Sequence, residues 1–223
     1  MSPEEAEARL REAIRSGELQ PNQRLVEAEL TRTLGASRSA VRTALLRLDR
    51  EGLVEHERNR GARVRLVGER EAAEILEARM VLEGLAARHA AERATPDDVA
   101  GLRGILADMR ERLDAGDLLG ASDRNAVLHA RLLAIAEHGT VDRLVWTLNA
   151  QLVRFQYRTI LVPGRSERSF GEHTAIVDAV ASGDPDAAER AMRHHLGHVT
   201  AALRESRQRN SDSTMSAPSP TAS

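Results

Sequence analysis

Residues 26–66 read VEAELTRTLGASRSAVRTALLRLDREGLVEHERNRGARVRL, and no other stretch restricts the fold as tightly. Val26, Leu30 and Leu34 fall on one face of a short helix that Gly35 stops. Ser37 is a good N-cap for the next helix, about Arg38–Glu51, in which Val41, Ala44, Leu45 and Leu48 form one apolar stripe. Ser39, Arg42, Thr43, Arg47 and Arg50 point the other way. Gly52 closes that helix. Leu53–Glu57 and Ala62–Leu66 then read as two short strands around Asn59-Arg60-Gly61, a hairpin turn with Gly available for the left-handed position. Helix, tight turn, Arg-studded helix and Arg-rimmed hairpin are the parts of a winged helix-turn-helix, which lays one helix in a DNA groove.

Upstream, Glu4–Ser16 reads as a helix with Ala6, Leu10, Ala13 and Ile14 on one stripe, and in the Pro21-Asn22 turn Asn takes a positive φ. From Glu69 onward the pattern is helical, with helices expected at 69–93, 97–115, 117–137, 140–160, 166–182 and 185–207. Breakers separate them: Thr95-Pro96, Gly116, Gly139, Pro163-Gly164 and Gly183-Asp184-Pro185. The expected fold is mainly α: an N-terminal winged helix-turn-helix (1–67), a linker (68–70), an antiparallel all-helical bundle (71–208) and a disordered Ser/Pro/Thr-rich tail (209–223). A core of Leu, Ala and Val with only 2% aromatic residues suits packed helices. The absence of cysteine excludes disulfides and thiolate metal sites. No apolar run approaches a membrane span, and the acidic, amphipathic N-terminus is wrong for a secretion signal, so a soluble cytoplasmic protein is expected, without a membrane partner.

The net charge of −2 hides an asymmetry: residues 36–66 carry 8 Arg against 4 acids, net +4, and there is no Lys in the chain. A recognition helix reads bases chiefly through its N-terminal half, which here offers Ser37, Arg38, Ser39 and Arg42. Arg38 and Arg42 are one turn apart and placed to reach neighbouring base edges, where Arg to guanine is the commonest specific contact. Arg47 is better placed for phosphates, and Arg60 with Gly61 for the minor groove at the wing tip. An isolated amphipathic helix would pair such Arg residues with its own acids; the ordered helix–turn–helix–hairpin favours DNA.

In the helical block His129, His173 and His195 each lie on the apolar face of a different expected helix. Singly, each reads as a core histidine. Three imidazoles projecting into one bundle centre need a partner, which a divalent metal would supply, zinc first and nickel or manganese as alternatives. Asn125, one turn before His129, is placed to add its carbonyl oxygen. His194 lies about 100° around the helix from His195, and His198 one turn beyond it is placed to line a pocket. His56, His89 and His138 read as surface or structural residues. Arg154 and Asn149 are candidates to face the same cavity, with helix-surface salt bridging as the alternative for Arg154. No carboxylate is evidently aimed at the site, and Glu172 is expected to point elsewhere on its helix.

The stretch LGASRSAVRTALLRLDREGLVEHERNRGARV resembles the DNA-binding signature of the GntR superfamily of bacterial transcription regulators, and the match extends upstream through IRSGELQPNQRLVEAEL. Residues from about 70 to 206 resemble the helical effector domain of the FadR subfamily, the FCD type. Thr43, Ala40 and Ala28 depart from common family residues and bear on the operator sequence. NAVLH, EHTAIVDAVASGD and AMRHHL resemble, in order, the family's metal-holding segments, with Asn125 in place of Asp and Leu128 in place of Phe. Arg79, in EARMVLEG, resembles the Arg that opens this domain in the family, which makes it a candidate to bind the effector, with helix-surface salt bridging as the alternative for it as for Arg154. The resemblance implies a metabolite-responsive repressor that binds an inverted-repeat operator in double-stranded DNA as a homodimer, with a small organic or sugar acid as effector. Two other readings remain: a metal-dependent hydrolase fused to a DNA-binding module, and a metal-free bundle that only dimerises. Against the hydrolase, there is no HExxH motif.

Overall fold

The structure, a computed structural model, describes residues 1–57, 61–152, 155, 159 and 162–215. It divides into two compact units, Met1–Ala72 with Arg143–Arg154, and Ala73–Asp142 with Phe155–Ser223.

The first unit begins with α1 (Pro3–Arg15), whose start is set by a capping box between Ser2 and Glu5. Then follow β1 (Arg24–Leu25), α2 (Glu27–Leu34), α3 (Arg38–Arg50), β2 (Val54–Glu57) and β3 (Gly61–Val64). Ser37 caps α3 as expected, its hydroxyl accepting from the Ala40 amide at 3.2 Å. The expected stripe of α3 is buried: Val41, Ala44, Leu45 and Leu48 are all 0% exposed. They pack with Ala6, Leu10 and Ile14 of α1 and with Leu53, Val54, Ala62 and Val64 of the hairpin into one core. Gly35 ends α2 at φ +63° and Gly61 opens β3 at φ +85°, conformations that a Cβ would strain. Asn22 takes the positive φ read from the sequence, +67°.

Two features differ from expectation. The sheet has three strands in the order β1-β3-β2, because Arg24 and Leu25 pair with Arg63 and Ala62. A two-residue strand carries no periodicity, so only its partner reveals it. The helix expected over 140–160 is α7, Gly139–Gln151, and its later part belongs to the first unit. Ala150 is buried in that unit's core. Gln151 Nε2 donates to the carbonyl of Glu51, the C-cap residue of α3, at 3.0 Å, and Arg65 Nη1 donates to Gln151 Oε1 at 3.3 Å. The Arg11 guanidinium lies 5.0 Å from the Trp146 ring centroid. These contacts add a sequence-distant segment to the N-terminal unit, which the expected boundary at 68–70 leaves out.

The second unit contains most of α4 (Glu69–Arg93), with α5 (Pro96–Asp114), α6 (Leu118–Ala136), α8 (Arg165–Ala181) and α9 (Pro185–Met215). In it α8 packs against both α5 and α9, and α5 against α6. Leu102, Leu128, Leu132, Ile176, Val177 and Leu196 form the centre of its core, each 0 or 1% exposed. The last helix runs to Met215, past the expected start of the tail at 209. No Gly or Pro falls between Gly197 and Pro218.

Leu45→Ala is expected to destabilise the first unit by about 2–5 kcal/mol, the range for a fully buried Leu. Urea unfolding followed by circular dichroism checks it, and an unchanged first transition would contradict this packing.

Candidate functional site

On the first unit the outer face of α3 presents Ser37, Arg38, Ser39 and Arg42, all exposed. The hydroxyls of Ser37 and Ser39 share a hydrogen bond at 3.0 Å. Arg38 and Arg42 have no ion-pair or hydrogen-bond partner among the described residues. Arg47 is different: its Nη1 lies 2.9 Å from Glu4 Oε1 and 3.1 Å from Glu7 Oε2, tying α3 to α1. It is engaged within the protein, where the sequence suggests a free phosphate donor. Gly61 is exposed at the wing, and Arg60 lies outside the described residues.

In the second unit His129 of α6, His173 of α8 and His195 of α9 converge, at 6, 1 and 2% exposure. One ring nitrogen from each lies within 4.8 Å of the others, and the Nε2 atoms of His129 and His173 are 3.4 Å apart. Two nitrogens bound at ~2.1 Å to one tetrahedral ion would be about 3.4 Å apart.

Two carboxylates orient the imidazoles. Glu83 of α4 places Oε2 2.5 Å from His129 Nδ1, and Glu172 of α8 places Oε2 2.8 Å from His195 Nδ1. With Nδ1–H donated outward, Nε2 keeps its lone pair for the cluster. Each carboxylate has an Arg behind it: Arg79 Nε donates to Glu83 Oε1 at 2.7 Å, and Arg165 Nη2 to Glu172 Oε2 at 2.8 Å. Burial pushes the Glu83 carboxyl up, but the charges of Arg79 and His129 and their hydrogen bonds outweigh it and hold the group at about 2. Burial, then the neighbouring imidazoles, push His173 and His195 well below the ordinary histidine range, which leaves them neutral and able to ligate.

Asn125 Oδ1 is buried without a hydrogen-bond partner among the described residues, as is His173 Nδ1. An unsatisfied buried acceptor costs ~1–3 kcal/mol, and a cation beside His129 would satisfy the Asn125 oxygen. Three converging imidazoles, two of them kept neutral by burial, an orphaned carbonyl oxygen and carboxylates on two of the outer ring nitrogens fit a divalent metal.

Glu172 corrects an expectation. It is not turned away: besides His195 and Arg165 on Oε2, its Oε1 lies 2.7 Å from His198 Nδ1. With both oxygens engaged it positions imidazoles and is not free as a general base. Glu83 carries no motif; its only local signal is the i,i+4 spacing from Arg79. His198 sits at the edge with its side chain 49% exposed, and its ring centroid is 4.1 Å from that of His194. Asn149 belongs to the first unit, and Arg154 lies outside the described residues.

Because His173 and His195 resist protonation when buried, the unfolded chain takes up protons below the ordinary value of 6.5 that the folded one does not. Stability of chelator-treated protein should therefore be full above that pH and fall on acidification, by up to about 1.4 kcal/mol per pH unit for each imidazole. Urea midpoints at neutral and mildly acidic pH check this; His173→Gln should flatten the slope, and a pH-independent wild type would contradict neutral burial.

Residues 3–64 match the bacterial regulatory proteins of the gntR family, and residues 74–198 match the FCD domain. The probable D-xylose utilization operon transcriptional repressor of Paenarthrobacter nicotinovorans is 31% identical over 174 residues, covering 76% of this chain and 74% of that protein. A putative L-lactate dehydrogenase operon regulatory protein of Escherichia coli is 30% identical, with coverages of 88% and 84%. The solved structure of E. coli McbR/YncC shares the fold at 22% identity and a TM-score of 0.76, covering 91% of this chain and 97% of that one. These curated relatives are transcription regulators, not enzymes, and among the described residues no helix is long and apolar enough to cross a membrane. The chain belongs to the GntR family of bacterial DNA-binding transcription regulators, with an FCD effector domain behind its helix-turn-helix.

Proposed function

We propose that this regulator is a metabolite-responsive repressor. As a homodimer it reads an inverted repeat with one α3 per half-site, and its His cluster holds a divalent metal, zinc first, as part of a seat for a small organic or sugar acid. The observation that carries the DNA reading is the outward presentation of Arg38 and Arg42 on the N-terminal half of α3, without a partner among the described residues, while Arg47 is held by Glu4 and Glu7. Ser37 and Ser39 supply short donors beside them, and Gly61 lets the wing approach the minor groove closely.

In the second unit His129, His173 and His195 are the proposed ligands, with Asn125 as an additional oxygen. A bound divalent ion offers an acidic ligand a Lewis-acidic coordination position beside the three imidazoles. Glu83 and Glu172 fix the ring orientations, and Arg79 and Arg165 hold those carboxylates in place. Occupancy of this seat shifts operator affinity through a coupling of about 1–3 kcal/mol, the usual allosteric range. The named operon regulators among the relatives support a metabolic signal.

Base reading by α3 is tested by selection. Full-length protein selects duplexes from a random-sequence pool, and affinity for the recovered sequence is measured by fluorescence anisotropy. Arg38→Ala and Arg42→Ala should each weaken binding by about 5–150-fold, the range for losing one bidentate base contact, and relax sequence preference. Equal affinity and unchanged preference in both variants would refute their base-reading role.

A further inference from the structure

Arg165 opens α8 and is 3% exposed. Its Nη2 serves Glu172, but Nη1 is equally buried and has no hydrogen-bond partner among the described residues. An idle donor on a buried guanidinium is a costly arrangement unless an acceptor arrives. The place where it idles is informative. Glu172 Oε2 accepts from both Arg165 Nη2 and His195 Nδ1, so the guanidinium and that imidazole converge on one oxygen at the edge of the His cluster.

Charge says what kind of acceptor is missing. Among the described residues the carboxylates bonded to the cluster's imidazoles are Glu83 and Glu172, and each is matched by one Arg, Arg79 and Arg165. These two pairs cancel, and the Asn125 oxygen adds no charge. A divalent cation on the three imidazoles would thus leave two positive charges uncompensated in an apolar bundle, and burial makes such an excess expensive. A ligand with a single carboxylate offsets only half of it.

The geometry points to a small diacid as the ligand of this site: one carboxylate reaches the His cluster, and the second accepts the free Nη1–H of Arg165. This rests on the metal reading above and deepens it by naming the ligand class and the residue that selects it. Arg165 holds Glu172 with one arm and the diacid with the other, a charge-assisted bond that a neutral or shorter side chain does not make.

The experiment is calorimetric titration of zinc-loaded full-length protein with oxalate, malonate, succinate and glutarate, and in parallel with acetate, propionate, butyrate and valerate. A member of the diacid series should bind at least about tenfold more tightly than the monoacid of matching chain length, as expected for one added hydrogen bond between charged groups. Arg165→Gln, titrated with the protein saturated in zinc and the loading checked by competition with a chromophoric chelator, should abolish that preference. Arg165→Lys, which keeps the charge but loses the fork, should weaken the preference and carries the test alone if the Gln variant does not fold. No diacid preference in the zinc-loaded wild type, or an unchanged preference in the variant, would overturn the proposal. Failure of the wild type to take up zinc would instead overturn the metal reading, and diacid titration of the metal-free wild type and variant then decides Arg165 separately.

Discussion

Three imidazoles cannot sit in the middle of a Leu, Ala and Val bundle without partners, and the second unit is arranged around that constraint. Each of His129, His173 and His195 comes from a different helix, so their convergence fixes how α6, α8 and α9 approach one another. Two of the rings are satisfied on their outer side by Glu83 and Glu172, and those carboxylates in turn by Arg79 and Arg165. The result is a polar shell two residues deep inside an apolar body. The outward hydrogen bonds of His129 and His195 are made, while His173 Nδ1, Asn125 Oδ1 and Arg165 Nη1 have no partner among the described residues. A buried network satisfied on one side and open on the other is organised to receive something.

The first unit solves a different problem. Its core takes one stripe from α1, one from α3 and the inward residues of the small sheet, leaving the opposite face of α3 to solvent. The contrast between Arg47 and its neighbours shows the division of labour on that helix. The arginine nearer the C-terminal end is held by α1 acids, whereas Arg38 and Arg42 at the N-terminal end are exposed. The later part of α7 supports the same body from behind, with Gln151 bonded to the carbonyl just past the end of α3. The α3 helix is therefore braced along its buried face and at its C-terminus.

Much of this is legible in the chain because it is local. The stripes of α1 and α3, the Ser37 cap, the turn at Asn22 and the three inward histidines all follow from spacing within one element. What spacing misses is non-local. Leu25 becomes a strand only because Ala62 lies beside it, and Ala150 joins the N-terminal core from 100 residues downstream of Arg50. Glu83 meets His129 across 46 positions of sequence, a contact no window can show. Glu172 lies off the stripe that carries His173, but α8 packs against both α5 and α9 and so has two inward sides. A single-stripe view of a helix sees only one of them.

Metal content tests the central claim about the effector domain most directly. Protein purified without chelator should carry about one divalent ion per chain by elemental analysis, as a single cluster of three His implies, and His173→Ala should lose it. Wild-type protein with less than about a tenth of an ion per chain after exposure to zinc would contradict the account, since such structural affinities saturate readily.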